Sequence, residues 1–67
     1  MDWKPQDIRR LRKRLGYNQT EMADALGYGS YQRVSELENG KRDAPATVQR
    51  LLDMLEKQAP RNGTADD

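Results

Sequence analysis

Residues 19–40 read QTEMADALGYGSYQRVSELENG, and this stretch decides the fold. With the preceding Asn18 it opens on Asn18-Gln19-Thr20-Glu21, the pattern of a capping box. There an Asn side chain accepts from the amide three residues on, and the Glu carboxylate reaches back to the cap's own amide. Met22, Ala23 and Leu26 then fall on one helical face, and Gly27 supplies a left-handed stop, so a helix of two turns is expected at about 19–26. Tyr28-Gly29-Ser30 is turn chemistry that ends in a capping hydroxyl. Val34 and Leu37 are the inward positions of the next helix, expected at about 31–38, and Asn39-Gly40 closes it. Whether that helix begins at Ser30 or Tyr31 is left open. Ala23 is small where the two helices must cross closely, with Leu26, Val34 and Leu37 closing a shared core beneath.

The flanks extend the same architecture. Pro5 suits a first helical turn, where its missing N–H costs nothing. Ile8, Leu11 and Leu15 recur at i, i+3 and i+7, and Gly16 stops the helix they define, about 5–15. Lys41-Arg42-Asp43-Ala44-Pro45 is a loop. Val48, Leu51, Leu52 and Leu55 repeat at i, i+3, i+4 and i+7, the stripe of an amphipathic helix at about 46–57. Residues 58–67 carry no periodicity and are expected to form a disordered tail behind a single domain spanning 5–57. No internal repeat and no strand signal is present. Trp3 is expected to cover the base of the core beside the last helix, and Tyr17 to staple the start of the second.

Two short helices joined by a glycine turn form the helix-turn-helix arrangement, whose second helix enters the DNA major groove. The chain resembles the Cro/C1-type (XRE-like) helix-turn-helix repressors of phages and bacteria. The resemblance rests on Leu11-Arg12, Asn18-Gln19, Met22-Ala23, Leu26-Gly27, Val34-Ser35, Leu37-Glu38-Asn39-Gly40-Lys41 and Pro45. It covers about residues 6–56. It implies an all-α, compact domain of the lambda-repressor-like type with four helices, a short fifth being left open. The turn departs from the family pattern, since Tyr28-Gly29-Ser30 lengthens it by one residue.

The resemblance also implies roles. The base-reading positions fall on Tyr31, Gln32 and Glu36, with Arg33 beside them. The chemistry suits reading: Gln pairs with adenine, Arg with guanine, Glu accepts from cytosine, and Tyr packs on a thymine methyl. Asn18, Gln19, Ser30, Asn39, Lys41 and Arg42 are implied on phosphates, where the start of the second helix offers amides and a positive dipole end. Arg12 and Glu38 are implied as a structural ion pair tying the first helix to the end of the third. Apart from the resemblance, Met54 and Leu55 on the short last helix form an apolar patch that is either a dimer surface or a core edge, with dimer contacts the expected role. The implied activity is sequence-specific binding of double-stranded DNA by a homodimer on a palindromic operator, as a small transcriptional repressor. Two other readings stay open: an antitoxin that represses its own promoter, and a protein-interaction module that has lost DNA binding, which Glu36 on the reading face favours.

Composition bounds the rest. The 67 residues suffice for one small domain. Hydrophobic and charged residues each make up 34%. With no Cys there is neither a disulfide nor a thiolate metal site. With no His the commonest general base and metal ligand are missing. No catalytic constellation, metal site, cofactor or small-molecule ligand is therefore expected. Gly27 and Gly29 form a turn, because a nucleotide-binding glycine motif needs a preceding strand. No apolar run approaches the ~20 residues that span a bilayer, and the start of the chain is charged, so a cytoplasmic location is expected. The net charge of +1 hides an uneven distribution: Lys4, Arg9, Arg10, Arg12, Lys13 and Arg14 oppose only Asp7 within residues 4–14. A locally basic segment of this kind suits a polyanion partner.

Overall fold

The computed structural model describes residues 3–59. Four helices follow one another: α1 (Pro5–Leu15), α2 (Gln19–Ala25), α3 (Tyr31–Glu38) and α4 (Ala46–Gln58). Among the described residues there is no strand.

Each boundary is written in local chemistry. Pro5 occupies the first turn of α1, and the basic side chains of Arg12, Lys13 and Arg14 sit at its negative end. In α2 the capping box is complete: the Asn18 side chain accepts from the Glu21 amide at 2.8 Å, and Glu21 accepts from the Asn18 amide at 2.8 Å. Ser30 caps α3, its hydroxyl accepting from the Gln32 amide at 3.1 Å, so α3 begins at Tyr31. The first three helices end alike. After α3, the Lys41 amide donates to the Glu36 carbonyl at 3.0 Å and the Gly40 amide to Leu37 at 3.4 Å, with Gly40 at φ 76. This crossed pair of bonds needs a left-handed residue at its centre and satisfies the last carbonyls of the helix. Tyr17 with Gly16, and Tyr28 with Gly27, repeat it after α1 and α2.

The inward faces meet in one core. Ile8 and Leu11 of α1, Met22 and Ala23 of α2, Leu26, Val34 and Leu37 of α3, and Val48 and Leu52 of α4 are all buried. A fully buried side chain of this size contributes about 1.5–3 kcal/mol, so the core is the main source of stability. No polar or charged residue among those described is fully buried. α3 packs on both α2 and α1, which fixes its direction relative to the rest of the domain. Trp3 packs against the core and its indole N–H donates to Asp53 of α4 at 2.9 Å, tying the start of the chain to the last helix.

Two helix bounds differ by one residue from those expected. α2 stops at Ala25, with Leu26 serving as its cap and filling the core. α4 runs one residue further than expected, to Gln58, and Ala59 is buried with its amide bonded to Leu55 at 2.9 Å. Gln58 closes α4, and residues 60–67 of the expected tail lie outside the described residues. Leu55 leans on the core and is half-buried, leaving Met54, at 56% exposure, as the open apolar side chain of α4.

Candidate nucleic-acid interface

With Val34 and Leu37 turned inward, the helical repeat turns Gln32 and Glu36 outward, and Tyr31 and Arg33 flank them on either side of the exposed surface of α3. Tyr31 is 51% exposed although aromatic, and the core makes no use of it. Gln32 and Arg33 are exposed, and Glu36 is half-buried. The face thus carries an aromatic ring, an amide, a guanidinium and a carboxylate within two helical turns. It bears both donors and acceptors, as reading of base edges requires.

The structure brings three of the predicted residues together. Arg42 Nε donates to Glu36 Oε1 at 2.9 Å, and Arg33 Nη1 lies 3.7 Å from the same oxygen. The hydrogen bond from Arg42 holds the Glu36 carboxyl below the usual carboxylate range, against desolvation and with help from the charges of Arg42, Arg33 and Lys41. Arg42 and Glu36 were expected to act separately, one on phosphate and one on a base. Their pairing follows from the end of α3: the left-handed Gly40 folds the chain back, so that Lys41 bonds to the Glu36 backbone and Arg42 follows over its side chain. A carboxylate four residues before a helix-stop glycine, with an arginine two after it, is the signal that reveals the pair.

A second cluster lies beneath this face. Arg12 Nε donates to Glu38 Oε2 at 2.6 Å, Arg12 Nη2 to Oε1 at 3.1 Å, and Arg12 Nη1 to the Tyr17 carbonyl at 3.1 Å. The side chains are 14% and 5% exposed. Gln19 joins them, its side-chain amide donating to Glu38 Oε1 at 3.4 Å, a link the sequence reading missed. The start of α2, the end of α3 and α1 are thereby held in one network. The Asn18 side chain is engaged in its cap, and the Asn39 side chain donates to Ser35 Oγ at 3.3 Å. Lys41 is exposed beside them.

Elsewhere, Arg9, Arg10 and Lys13 are exposed on the outer side of α1. A shallow cavity of about 390 Å³, lined by Trp3, Lys4, Pro5, Asp43, Ala44 and Gln49, shares no residue with α3. Among the described residues no group of His, Cys, Asp and Glu is placed to hold a metal ion, and no helix is long and apolar enough to cross a membrane.

The model of a family described as a helix-turn-helix domain matches residues 6–60. No curated protein and no solved structure matches the chain. The match spans most of the sequence, and the chain belongs to the helix-turn-helix domain family.

Proposed function

We propose that this helix-turn-helix domain is a small transcriptional regulator of the Cro/C1 type that binds double-stranded DNA in a sequence-specific manner. α3 lies in the major groove, where Tyr31, Gln32, Arg33 and Glu36 face base edges. Asn18, Gln19, Ser30, Asn39, Lys41 and Arg42 flank it and meet phosphates, and the basic outer side of α1 adds long-range attraction. The observation that carries this reading is the face of α3. Four side chains able to read bases stand outward on a helix whose start, end and tilt are fixed by caps and by the Arg12–Glu38 network. A surface that merely kept the protein soluble would not need that rigidity, and Tyr31 would serve it poorly.

The regulator acts as a homodimer on a palindromic operator, with half-sites about one helical turn apart. Met54 on α4 is the apolar contact between copies, with Leu55 at its edge. Regulation is by occupancy in the cytoplasm: the bound dimer blocks transcription, with no catalysis and no cofactor. The DNA-binding unit comprises α1 to α4.

Selection from a random duplex pool, followed by affinity measurements on the winner across a salt series, tests this. A palindromic winner with steep salt dependence supports a dimeric specific regulator. An unrepeated half-site removes the dimer. Weak, salt-sensitive binding to every duplex without enrichment overturns specific reading and points to a protein partner instead.

A further inference from the structure

Glu36 is a negative charge on the face turned toward DNA, where phosphates oppose it. It is also engaged: Arg42 donates to Oε1 at 2.9 Å and Arg33 lies 3.7 Å from the same atom. Arg42 is among the cations proposed above for phosphate, and Arg33 is the one proposed for guanine. In the free protein the carboxylate therefore occupies the guanidinium edge that a phosphate oxygen would otherwise take. The three side chains are 46%, 39% and 47% exposed for Arg33, Glu36 and Arg42, so an incoming phosphate can reach the cluster and compete.

Resting on the DNA-binding reading above, we infer that Glu36 is a specificity-determining residue that works as an internal counter-ion. It holds Arg42 in the free protein and yields it on a site that offers the carboxylate a hydrogen-bond donor of its own. Guanidinium–carboxylate and guanidinium–phosphate contacts are alike in geometry and strength, so exchanging one for the other is close to balanced. The balance is then set by what the released carboxylate meets. On arbitrary duplex it meets phosphates and acceptor atoms and is left unsatisfied near like charge. At a cytosine placed under Glu36, the N4 amino group donates to it. Arg42 is thus withheld from the backbone of arbitrary DNA and released on the operator. Repulsion between Glu36 and phosphate would also disfavour arbitrary DNA, but it acts whether or not Arg42 is present.

The test uses the full chain as wild type, Glu36→Gln, Arg42→Gln and the double variant. One probe is a scrambled duplex of about two helical turns, and the other is the duplex enriched from a random pool. At about 50 mM salt, Glu36→Gln should bind the scrambled duplex about three- to fivefold more tightly than wild type, near the most that freeing a cation from an exposed pair supplies. One added phosphate contact steepens the salt slope by about 0.9, so this gain should shrink about 3.5-fold at 200 mM. Affinity for the enriched duplex should stay level or fall, so that discrimination drops. In the Arg42→Gln background, the same change at Glu36 should move scrambled-duplex affinity by no more than about twofold, since less than one phosphate contact is then at stake. An equal gain in both backgrounds overturns the inference in favour of bare repulsion. No gain in the wild-type background while wild type still selects a sequence overturns the inference alone. A wild type that binds neither duplex overturns the DNA-binding reading and the inference with it.

Discussion

Replacing Arg12 with Met removes the cation from a nearly buried pair and leaves the Glu38 carboxylate, 5% exposed, without its main partner. Three bonds are lost at once, two to Glu38 and one to the Tyr17 carbonyl. Gln19 remains as a donor, at 3.4 Å. Breaking a buried pair from one side costs about 3–5 kcal/mol, because the surviving charge stays desolvated. The 14% exposure of Arg12 and the residual Gln19 bond place the expected loss at the lower end, about 3 kcal/mol. At about 0.05–0.15 kcal/mol per residue, a chain this short holds only about 3–10 kcal/mol in total. The variant should therefore melt about 12–24 °C below wild type, taking about 4–8 °C per kcal/mol for a domain of this size. Urea titration and thermal circular dichroism on the same samples measure it. The companion Arg12→Met/Glu38→Met removes both charges and should recover most of the loss, since an apolar pair can replace a buried ion pair at little cost. A single-variant loss below about 1 kcal/mol, the value of an exposed surface pair, would refute the argument. So would a double variant no more stable than the single one.

Other outcomes follow from the same structure. Gly40→Ala should destabilise by about 1–2 kcal/mol in urea titrations, because its φ of 76 penalises any Cβ. The added Cβ meets nothing tighter than Pro5 Cγ at 3.6 Å, so the loss should be conformational and Gly40→Asn should restore part of it. Gln32→Ala should leave the melting temperature unchanged while reducing discrimination at one base pair by about 1–3 kcal/mol, read by competition with single-base operator variants. The Glu36 carboxyl, held down by Arg42, should titrate by carbon-detected NMR at lower pH in wild type than in Arg42→Gln. Its folded value is depressed, so the pair's stabilisation is present above the ordinary carboxylate range and is lost as pH falls through the lowered value.

The helices were legible because their ends are spelled out locally. Asn18 with Glu21, Ser30, and the glycines at 16, 27 and 40 fix caps and stops through bonds only a few residues long. The inward stripe at Ile8, Leu11, Val34, Leu37, Val48 and Leu52 follows from helical period alone. Less legible was whatever depends on how segments meet. Gln19 looks like a surface amide until the end of α3 brings Glu38 within 3.4 Å of it. Arg42 looks like a loop cation until the turn at Gly40 lays it over Glu36. Ala59 follows a polar stretch and precedes Pro60, and a single small apolar residue there gives no periodic sign that it will be buried. Leu55 satisfies both a core stripe and an open face by spacing, and only packing decides in favour of the core edge.

The outward face of α3, supported by the start of α2, is the proposed DNA-contacting surface. Backbone amide chemical shifts recorded while the duplex enriched from a random pool is added test it most directly. The largest changes should fall at residues 18–21 and 31–36, with further changes at 39–42. Changes confined to the outer side of α1 or to the cavity beside Trp3, with α3 unmoved, would contradict the account.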